Sequence, residues 1–302
     1  MLRCVALVGP TASGKSSLAM RVAASCQTSL MACDSMQVYQ GLDIGTAKAS
    51  KEDQLLVPHA LIDCVTLPTV LSAADWVKQA VSFIQKENDA GRTPILVGGC
   101  GFYLRALLEG LSPIPEENQQ RRDDLTQQWQ VEGNAWLHQQ VEQHDPASAA
   151  RLHASDIQRL LRALAVYHST GVPLSQWQKE PLQSVDIDCP VFVLDMPREN
   201  LYVRINQRFD VMMNQGWMQE TQWLLDQKLA DTHPAMRAVG YRQLLDVLHG
   251  HCSEEDAVIK GKTATRRYAK RQQTWFRHQL KDSVFADAFS IEEGLKVRLQ
   301  GQ

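Results

Sequence analysis

The sequence predicts an α/β fold, a parallel sheet covered by helices and interrupted by an all-helical insertion, and three observations predict it. Apolar runs of strand length alternate with helical patterns through the first hundred residues. Residues 9 to 16 read Gly-Pro-Thr-Ala-Ser-Gly-Lys-Ser, a complete G-x-x-x-x-G-K-[ST] loop placed directly after the first such run. A Gln-rich segment poor in β-branched residues then breaks the alternation, and the β pattern returns only near residue 190.

In chain order, the first strand is Cys4 to Val8 and the first helix runs from Lys15 to about Cys26. Extended runs follow at Leu30 to Cys33 and Leu61 to Val65. Ser72, with Asp75 three residues on, caps a helix that reaches about Asn88 and ends at Gly91. The strand Pro94 to Val97 leads through Gly98-Gly99 to a short helix, Phe102 to Glu109, which runs out at Gly110. The segment Ser112-Pro-Ile-Pro115 and the composition shift at Glu116 open the insertion, where Leu125, Trp129, Trp136, Leu137 and Val141 fall at helical spacing. Within it Ser155-x-x-Gln158 has the form of a capping box for a helix that stops before Gly171 and Pro173, with Arg159 and Arg162 on one face. Pro190 to Asp195 rejoins the sheet, and the remainder reads as helical. These shifts divide the chain into 1–114, a P-loop NTPase-like core; 115–188, the helical insertion; and 189–302, core completion with basic helices.

The P-loop fixes a ligand class. Gly9 and Gly14 let the backbone wrap after Pro10 until Thr11, Ala12 and Ser13 turn N–H groups inward, Lys15 adds a point charge, and the Ser16 hydroxyl is a ligand for magnesium beside the phosphates. Which bond breaks stays open, because a cradled diphosphate is either the group transferred or the group that leaves.

Bulk properties exclude several classes. With 302 residues, 44% hydrophobic and 22% charged, the chain is an ordinary globular protein rather than a disordered one. No apolar run approaches the roughly 20 residues that span a bilayer, and the apolar start carries the P-loop, so cytoplasmic residence without a removable leader is expected. A net charge of −3 means that a nucleic-acid partner must be met by a local basic patch. The seven cysteines are scattered without a C-x-x-C pair and read as reduced core residues; His249-x-His251-Cys252 sits about a glycine, where a surface turn explains it better than a metal site.

Several residues carry chemistry. Asp34-Ser35 follows the second strand, at the end where such sheets bind ligands, so Asp34 either faces the phosphates or is a solvated loop carboxylate. Walker B candidates are Asp63 and Asp195, neither decisive. Gly98-Gly99 permits close approach of backbone to ligand, or is a plain strand-to-helix turn. Arg204 and Arg208, at i and i+4, reach a phosphate or sit in a salt-bridged surface. Finally Lys260, Lys262, Arg266, Arg267, Lys270, Arg271, Arg277 and Lys281 occupy a stretch with no acid, interleaved with Tyr268, Trp275 and Phe276. Cations for phosphates and aromatics for unpaired bases suit single-stranded RNA, against the blander alternative of a solvated helix face.

Seven segments in register give these readings a common source: Gly9 to Ser16, Asp34-Ser-Met-Gln-Val-Tyr39, Leu42-Asp-Ile-Gly-Thr-Ala-Lys48, Pro58-His59, Gly98-Gly99, Arg237-Ala-Val-Gly-Tyr-Arg-Gln243 and Lys270-Arg-Gln-Gln-Thr-Trp275. Over nearly its whole length the chain resembles the bacterial tRNA dimethylallyltransferases, also called tRNA isopentenylpyrophosphate transferases. The resemblance implies a P-loop core with a helical insertion, a magnesium ion, and transfer of a dimethylallyl group from dimethylallyl diphosphate to N6 of the adenosine just 3′ of the anticodon, by a monomer that needs no membrane. It makes the cradled diphosphate the leaving group and Asp34 the base.

By the same resemblance Thr11, Lys15, Asp34 and Cys100 are catalytic, Cys100 standing where the family usually has Thr and offering a weaker hydrogen-bond donor. Arg204 and Arg208 join the P-loop on the diphosphate. The anticodon stem-loop is touched by Asp34, Ser35, Met36, Gln37 and Cys100; by Arg122 and the helix Gln158, Arg159, Leu160, Leu161, Arg162; by Arg237, Ala238, Val239, Gly240, Tyr241 and Arg242; and by Lys270, Arg271, Gln272, Gln273, Thr274, Trp275, Phe276 and Arg277. The animal and fungal relatives append a Cys/His zinc module, which this sequence does not contain. The P-loop and Asp34 alone would also suit a small-molecule or nucleoside kinase, and the P-loop with the basic stretch would suit a nucleotide-switched RNA-binding protein.

Overall fold

A computed structural model describes residues 1–115, 119–280 and 282–300. Its framework is a six-stranded sheet in which every paired neighbour is parallel. The strands are β1 (Val5–Val8), β2 (Leu30–Cys33), β3 (His59–Ala60), β4 (Ile95–Gly98), β5 (Val191–Leu194) and β6 (Val284–Ala286), in the spatial order β3-β2-β4-β1-β5-β6. All four residues of β1 are buried, which is what a strand covered on both faces requires. Alternate residues feed opposite layers. Val5 and Leu7 pack with Leu18, Ala19 and Val22 of α1 (Lys15–Ser25), while Ala6 and Val8 pack with Trp76, Ala80 and Ile84 of α2 (Ala73–Asp89).

From β1 the chain passes to β2 on one side and, after the insertion, to β5 on the other. The crevice at the carboxyl end of β1 is therefore a topological switch point, where sheets of this kind bind ligands. Ser72 caps α2 by accepting the Asp75 N–H at 3.1 Å. The short helix α3 (Gly101–Leu108) follows β4.

Three expectations are corrected in this unit. The strand predicted over Leu61 to Val65 lies earlier, at His59–Ala60, because Leu61 and Asp63 take positive φ (57° and 52°) and only Val65 touches strand geometry, through an isolated bridge to Tyr39. The C-terminal region is not wholly helical, since β6 adds an edge strand. Asp63 is no Walker B residue, because its carboxylate is held at 2.5 Å by Lys48 and at 2.9 Å by Lys51.

The chain divides into two compact units, one of residues 1–108 and 185–302, the other Glu109–Ser184. The second starts and ends a few residues before the 115–188 read from composition. Leu111 pairs with Gln183, and Gly110 (φ +91°) leaves only 2.3 Å between an added Cβ and the Gln183 carbonyl, so the two ends are tied together here. Ile187–Asp188 instead pairs with Leu2–Arg3.

Within this unit α4 (Gln119–His144) and α5 (Ile157–Thr170) pack around Leu125, Leu137, Val141, Leu160, Leu161 and Leu164. Gly133 (φ 83°, ψ −176°) interrupts α4, a break the apolar spacing did not predict. The Ser155–Gln158 capping box does not form either: α5 starts at Ile157 after Asp156, and Ser155 Oγ bonds His153 instead.

The first unit is completed by α6 (Arg198–Asn214), α7 (Trp217–Asp226), α8 (Tyr241–Leu248), α9 (Glu254–Gln279) and α10 (Ala288–Gln300). No helix among the described residues is long and apolar enough to cross a membrane.

Candidate active site

The P-loop leaves β1 at Val8 and closes at Gly14, whose φ of +95° starts α1 from the left-handed region. Gly9 is equally constrained, because an added Cβ would stand 3.1 Å from the Leu194 carbonyl and from Ser13 Oγ. The Ser13 hydroxyl is buried without a hydrogen-bond partner among the described residues. Lys15 donates to the Pro10 carbonyl at 3.2 Å, and its pKa is pushed down to about 8, chiefly by burial and then by the charge of Arg208.

Two arginines of α6 reach this loop. Arg204 donates to the Ser13 carbonyl at 3.1 Å, and Arg208 donates to the Thr11 hydroxyl. Burial also pushes the Arg208 pKa down, with Asp34 pulling it back. The P-loop is thus ringed by three cations, two of which, Lys15 and Arg208, lack full hydration, which is the field an anionic ligand answers. Ser16 is exposed on the first turn of α1.

Asp34 directly follows β2. Its carboxylate accepts the Met36 and Gln37 N–H groups at 2.8 and 3.4 Å, a local turn that fixes the side chain. The charge acts on Lys15, Arg208, Cys100 and Tyr268, which converge on it from four other elements. The β2–β4 register sets Cys33 beside Gly98 and so brings Cys100 alongside: Cys100 N–H donates to the Cys33 carbonyl at 3.1 Å, and the Cys33 thiol donates to the Cys100 carbonyl at 3.4 Å. Burial, with help from Asp34, pushes the Cys100 thiol up to about 11, so it stays protonated at neutral pH.

Thr11, Asp34 and Arg208 open on a cavity of about 280 Å³ whose other walls include Met36, Ile205, Phe209, Met212 and Trp217. The far wall is a loop, 36–48, held from outside. Glu220 of α7 accepts the N–H groups of Asp43, Ile44 and Gly45 at 2.8, 2.8 and 2.9 Å and also the Tyr241 hydroxyl. Gly45 cannot be larger, since an added Cβ would stand 2.0 Å from the Trp217 indole nitrogen. Inside the loop, Lys48 binds the Tyr39 carbonyl at 2.7 Å and Asp43 at 2.6 Å. Sequence reasoning missed Glu220 altogether, because its loop partners lie about 175 positions away and no local pattern marks it.

The segments read as RNA contacts divide into inward and outward residues. In 237–242, Arg237 and Arg242 are exposed and Ala238 and Val239 line the cavity, whereas Tyr241 is buried and Gly240 is packed under Trp217. On α9, Lys270, Arg271, Thr274 and Arg277 are exposed, but Gln272, Gln273 and Phe276 are buried and Trp275 packs over Gly101. Gln272, Gln273 and Phe276 turn their side chains away from solvent, as do Leu160 and Leu161, which fill the core of their own unit; Gln158 and Arg159 are exposed on α5 and Arg162 is half-buried, while Arg122 lies on α4.

The acid-free basic stretch also finds acids from elsewhere. Lys262 pairs with Asp210 at 2.5 Å and Arg277 with Asp195 at 3.2 Å, which accounts for Asp195 as well, while Lys260, Arg267 and Lys270 remain exposed. Lys281 lies outside the described residues. His249 and His251 flank Gly250 (φ +75°) in a turn, and no cluster of three metal-ligating side chains occurs among the described residues.

Comparison with known proteins agrees over almost the whole length. The family model described as IPP transferase matches residues 37–279. A tRNA dimethylallyltransferase of Geobacter sulfurreducens is 43% identical over 91% of this chain and 89% of its own, and one of Limosilactobacillus fermentum is 40% identical over 93% and 91%. Among solved structures, the full-length tRNA isopentenylpyrophosphate transferase of Bacillus halodurans superposes with a TM-score of 0.72 at 32% identity, covering 100% of this chain and 98% of its own. A eukaryotic dimethylallyltransferase acting on tRNA gives 0.79 at 25% identity, over 95% of this chain and 74% of its own. On the family model and these identities, the chain belongs to the tRNA dimethylallyltransferase family.

Proposed function

We propose that this protein transfers a dimethylallyl group from dimethylallyl diphosphate to N6 of the adenosine just 3′ of the anticodon in tRNA, releasing diphosphate. The observation that carries the reading is the shared cavity: a carboxylate, Asp34, and two P-loop contacts, Thr11 and Arg208, face one space with apolar walls. Breaking the allylic C–O bond leaves negative charge on diphosphate oxygens, and Lys15, Arg204 and Arg208 around the P-loop stabilise that charge where it develops. The allylic carbon bonds to N6, and the amine proton passes to the Asp34 carboxylate, which restores a neutral modified base. The thiol of Cys100, kept protonated, is the donor on the nucleobase side.

The donor set suits magnesium. With no cluster of carboxylates among the described residues, the ion would be held by Ser16 and by diphosphate oxygens, the usual manner of a metal that keeps few protein ligands. It would supply Lewis-acid help to the leaving group. The target base must leave its stack, which costs less in a loop than in a duplex. Arg237, Arg242, Lys260, Arg267, Lys270 and Arg271 are the exposed cations for tRNA phosphates. The reading is of a cytoplasmic monomer. A kinase is not favoured, because relatives at 40% identity and above over most of the chain are prenyl-transfer enzymes.

Mass spectrometry of tRNA nucleosides after incubation with dimethylallyl diphosphate tests the reading: N6-dimethylallyladenosine should appear at the expense of unmodified adenosine. Phosphate transfer from ATP without prenylation would replace it. Asp34→Ala should slow turnover by roughly 10² to 10⁴ with only a modest loss of tRNA affinity. Collapse of binding with intact single-turnover chemistry would remove Asp34 from the base role.

A further inference from the structure

We infer that Gln272 is a positioning residue that registers the P-loop against the Gly98–Cys100 turn, and that its work lies on the donor side of the reaction rather than on the RNA. The inference rests on the prenyl-transfer reading and goes past it to a residue whose segment was assigned to RNA contact. The Gln272 Oε1 accepts the Thr11 N–H at 2.9 Å, and its Nε2 donates to the Gly99 carbonyl at 2.9 Å. One amide therefore satisfies a donor in the first loop and an acceptor in the second, with its two ends non-interchangeable. The residue is more than nine-tenths buried, so water does not supply either bond.

The approach that makes this possible is close. An added Cβ at Gly99 would stand 2.4 Å from Gln272 Nε2 and 3.3 Å from the Gly9 carbonyl, and one at Gly101 would stand 2.4 Å from Trp275. Helix α9 thus lies directly on the turn that carries Cys100. Thr11 is pinned twice, through its N–H by Gln272 and through its hydroxyl by Arg208, and it faces the cavity beside Asp34. Losing the amide would free Thr11 and Cys100 to shift relative to each other, and misplacement of about an ångström is enough to slow a positioned reaction markedly.

The next residue supplies a control. Gln273 is buried to the same degree and also spends its amide on a backbone carbonyl, that of Met196 at 3.1 Å, outside the P-loop and the Cys100 turn. The test compares Gln272→Met and Gln273→Met, with Gln272→Glu as a second variant that keeps the acceptor for Thr11 and loses the donor for Gly99. Melting temperature, kcat, the KM values for tRNA and for dimethylallyl diphosphate, and calorimetric binding of inorganic diphosphate are measured on the full chain. Both Gln272 variants should lose roughly 10- to 100-fold in kcat or in donor KM while the tRNA KM stays put, and diphosphate should bind more weakly. Gln273→Met should melt as low as Gln272→Met and keep the wild-type donor parameters.

A rise confined to the tRNA KM would return Gln272 to the RNA interface and overturn the inference. So would activity losses that follow melting temperature equally at both positions, or a Gln272→Met enzyme with unchanged kcat and donor KM. If the wild-type protein prenylates no tRNA, the functional reading fails by itself, and diphosphate binding by the variants still decides the role of Gln272.

Discussion

The two walls of the cavity are built on opposite principles. The P-loop wall reaches the cavity through Thr11 and belongs to a run of consecutive residues, Gly9 to Ser16, whose backbone is shaped by glycine and whose polar groups are left partly unsatisfied: Lys15 with a depressed pKa, Ser13 with a buried hydroxyl that has no partner among the described residues. The far wall gathers residues 43–45, 217 and 241 from distant parts of the chain, and one carboxylate, Glu220, satisfies three N–H groups and a phenol there. One wall stores electrostatic demand for a ligand to meet; the other has met its demands internally and serves as a shaped surface. The difference implies that damage to the first should strike chemistry, and damage to the second should strike stability.

Between the two walls, the larger kinetic effect is expected at Lys15. Lys15→Ala removes a charge that meets the leaving group and should lower kcat by roughly 10² to 10³. It also removes an ammonium whose burial disfavours it, so the melting temperature at pH 7 should stay level or rise. The sign follows from linkage: between about pH 8 and the ordinary lysine value of 10.5 the unfolded chain holds a proton that the folded chain has released, so this group makes stability rise with pH through that window, and its full cost is present below it. Donor kcat/KM, which reports the free enzyme, should fall above about pH 8, and Lys15→Arg should push that limb to higher pH. A Lys15→Ala protein that melts well below wild type would break the contrast between the walls.

Glu220→Ala comes next and should act in the reverse sense. It strands three backbone donors and the Tyr241 hydroxyl, and with partial access to water the expected loss is about 2 to 3 kcal/mol, read as a melting temperature several degrees lower. At temperatures where the variant is folded, kcat should stay within about tenfold of wild type, since no charge facing the diphosphate has changed. A kinetic loss as deep as that of Lys15→Ala, without a stability loss, would sharpen the site to include Glu220 as a chemical participant.

The same contrast explains what could be seen in the sequence. The P-loop, Asp34 and the Gly98-Gly99 turn are local patterns whose physics is complete within a few residues, and β1, β2, β4 and β5 announce themselves as short apolar runs. The strand β3 was displaced because Leu61 and Asp63 adopt positive φ, which composition does not reveal. Glu220, Gln272 and the pairing of Lys262 with Asp210 depend on which distant backbone or acid the fold delivers. Spacing could place Gln272 on a basic helix but not tell which face of that helix turns inward.

On that helix the outward face gives a smaller, salt-dependent effect. Lys270 and Arg271 are both exposed, with Arg271 resting 5.7 Å from the Tyr268 ring centroid. Replacing both with Ala should weaken tRNA binding several-fold near physiological salt and flatten the slope of log affinity against log salt by between about one and two. The melting temperature should hardly move, because exposed cations contribute little to stability. Equal affinity and slope in the double variant would remove this face from the RNA interface and leave the exposed Arg237 and Arg242 to carry it.

The smallest effect concerns Cys100. A thiol donates a weak hydrogen bond, and this one is held protonated by burial beside Asp34, so it is available as a donor but a poor one. Cys100→Thr supplies a hydroxyl at the same turn, and a stronger neutral hydrogen bond is worth about 0.5 to 1.5 kcal/mol, or roughly two- to tenfold in rate if it is made in the transition state. The backbone at this position is fixed by the Cys100 N–H to Cys33 carbonyl bond, which the substitution leaves intact. A gain in kcat with unchanged donor KM would assign the contact to the transition state, whereas a lower tRNA KM alone would assign it to recognition of the base. A loss in both would mean that the extra methyl group crowds the turn, and that the sulfur is there because of the room the buried Cys33 and the overlying Trp275 leave for it.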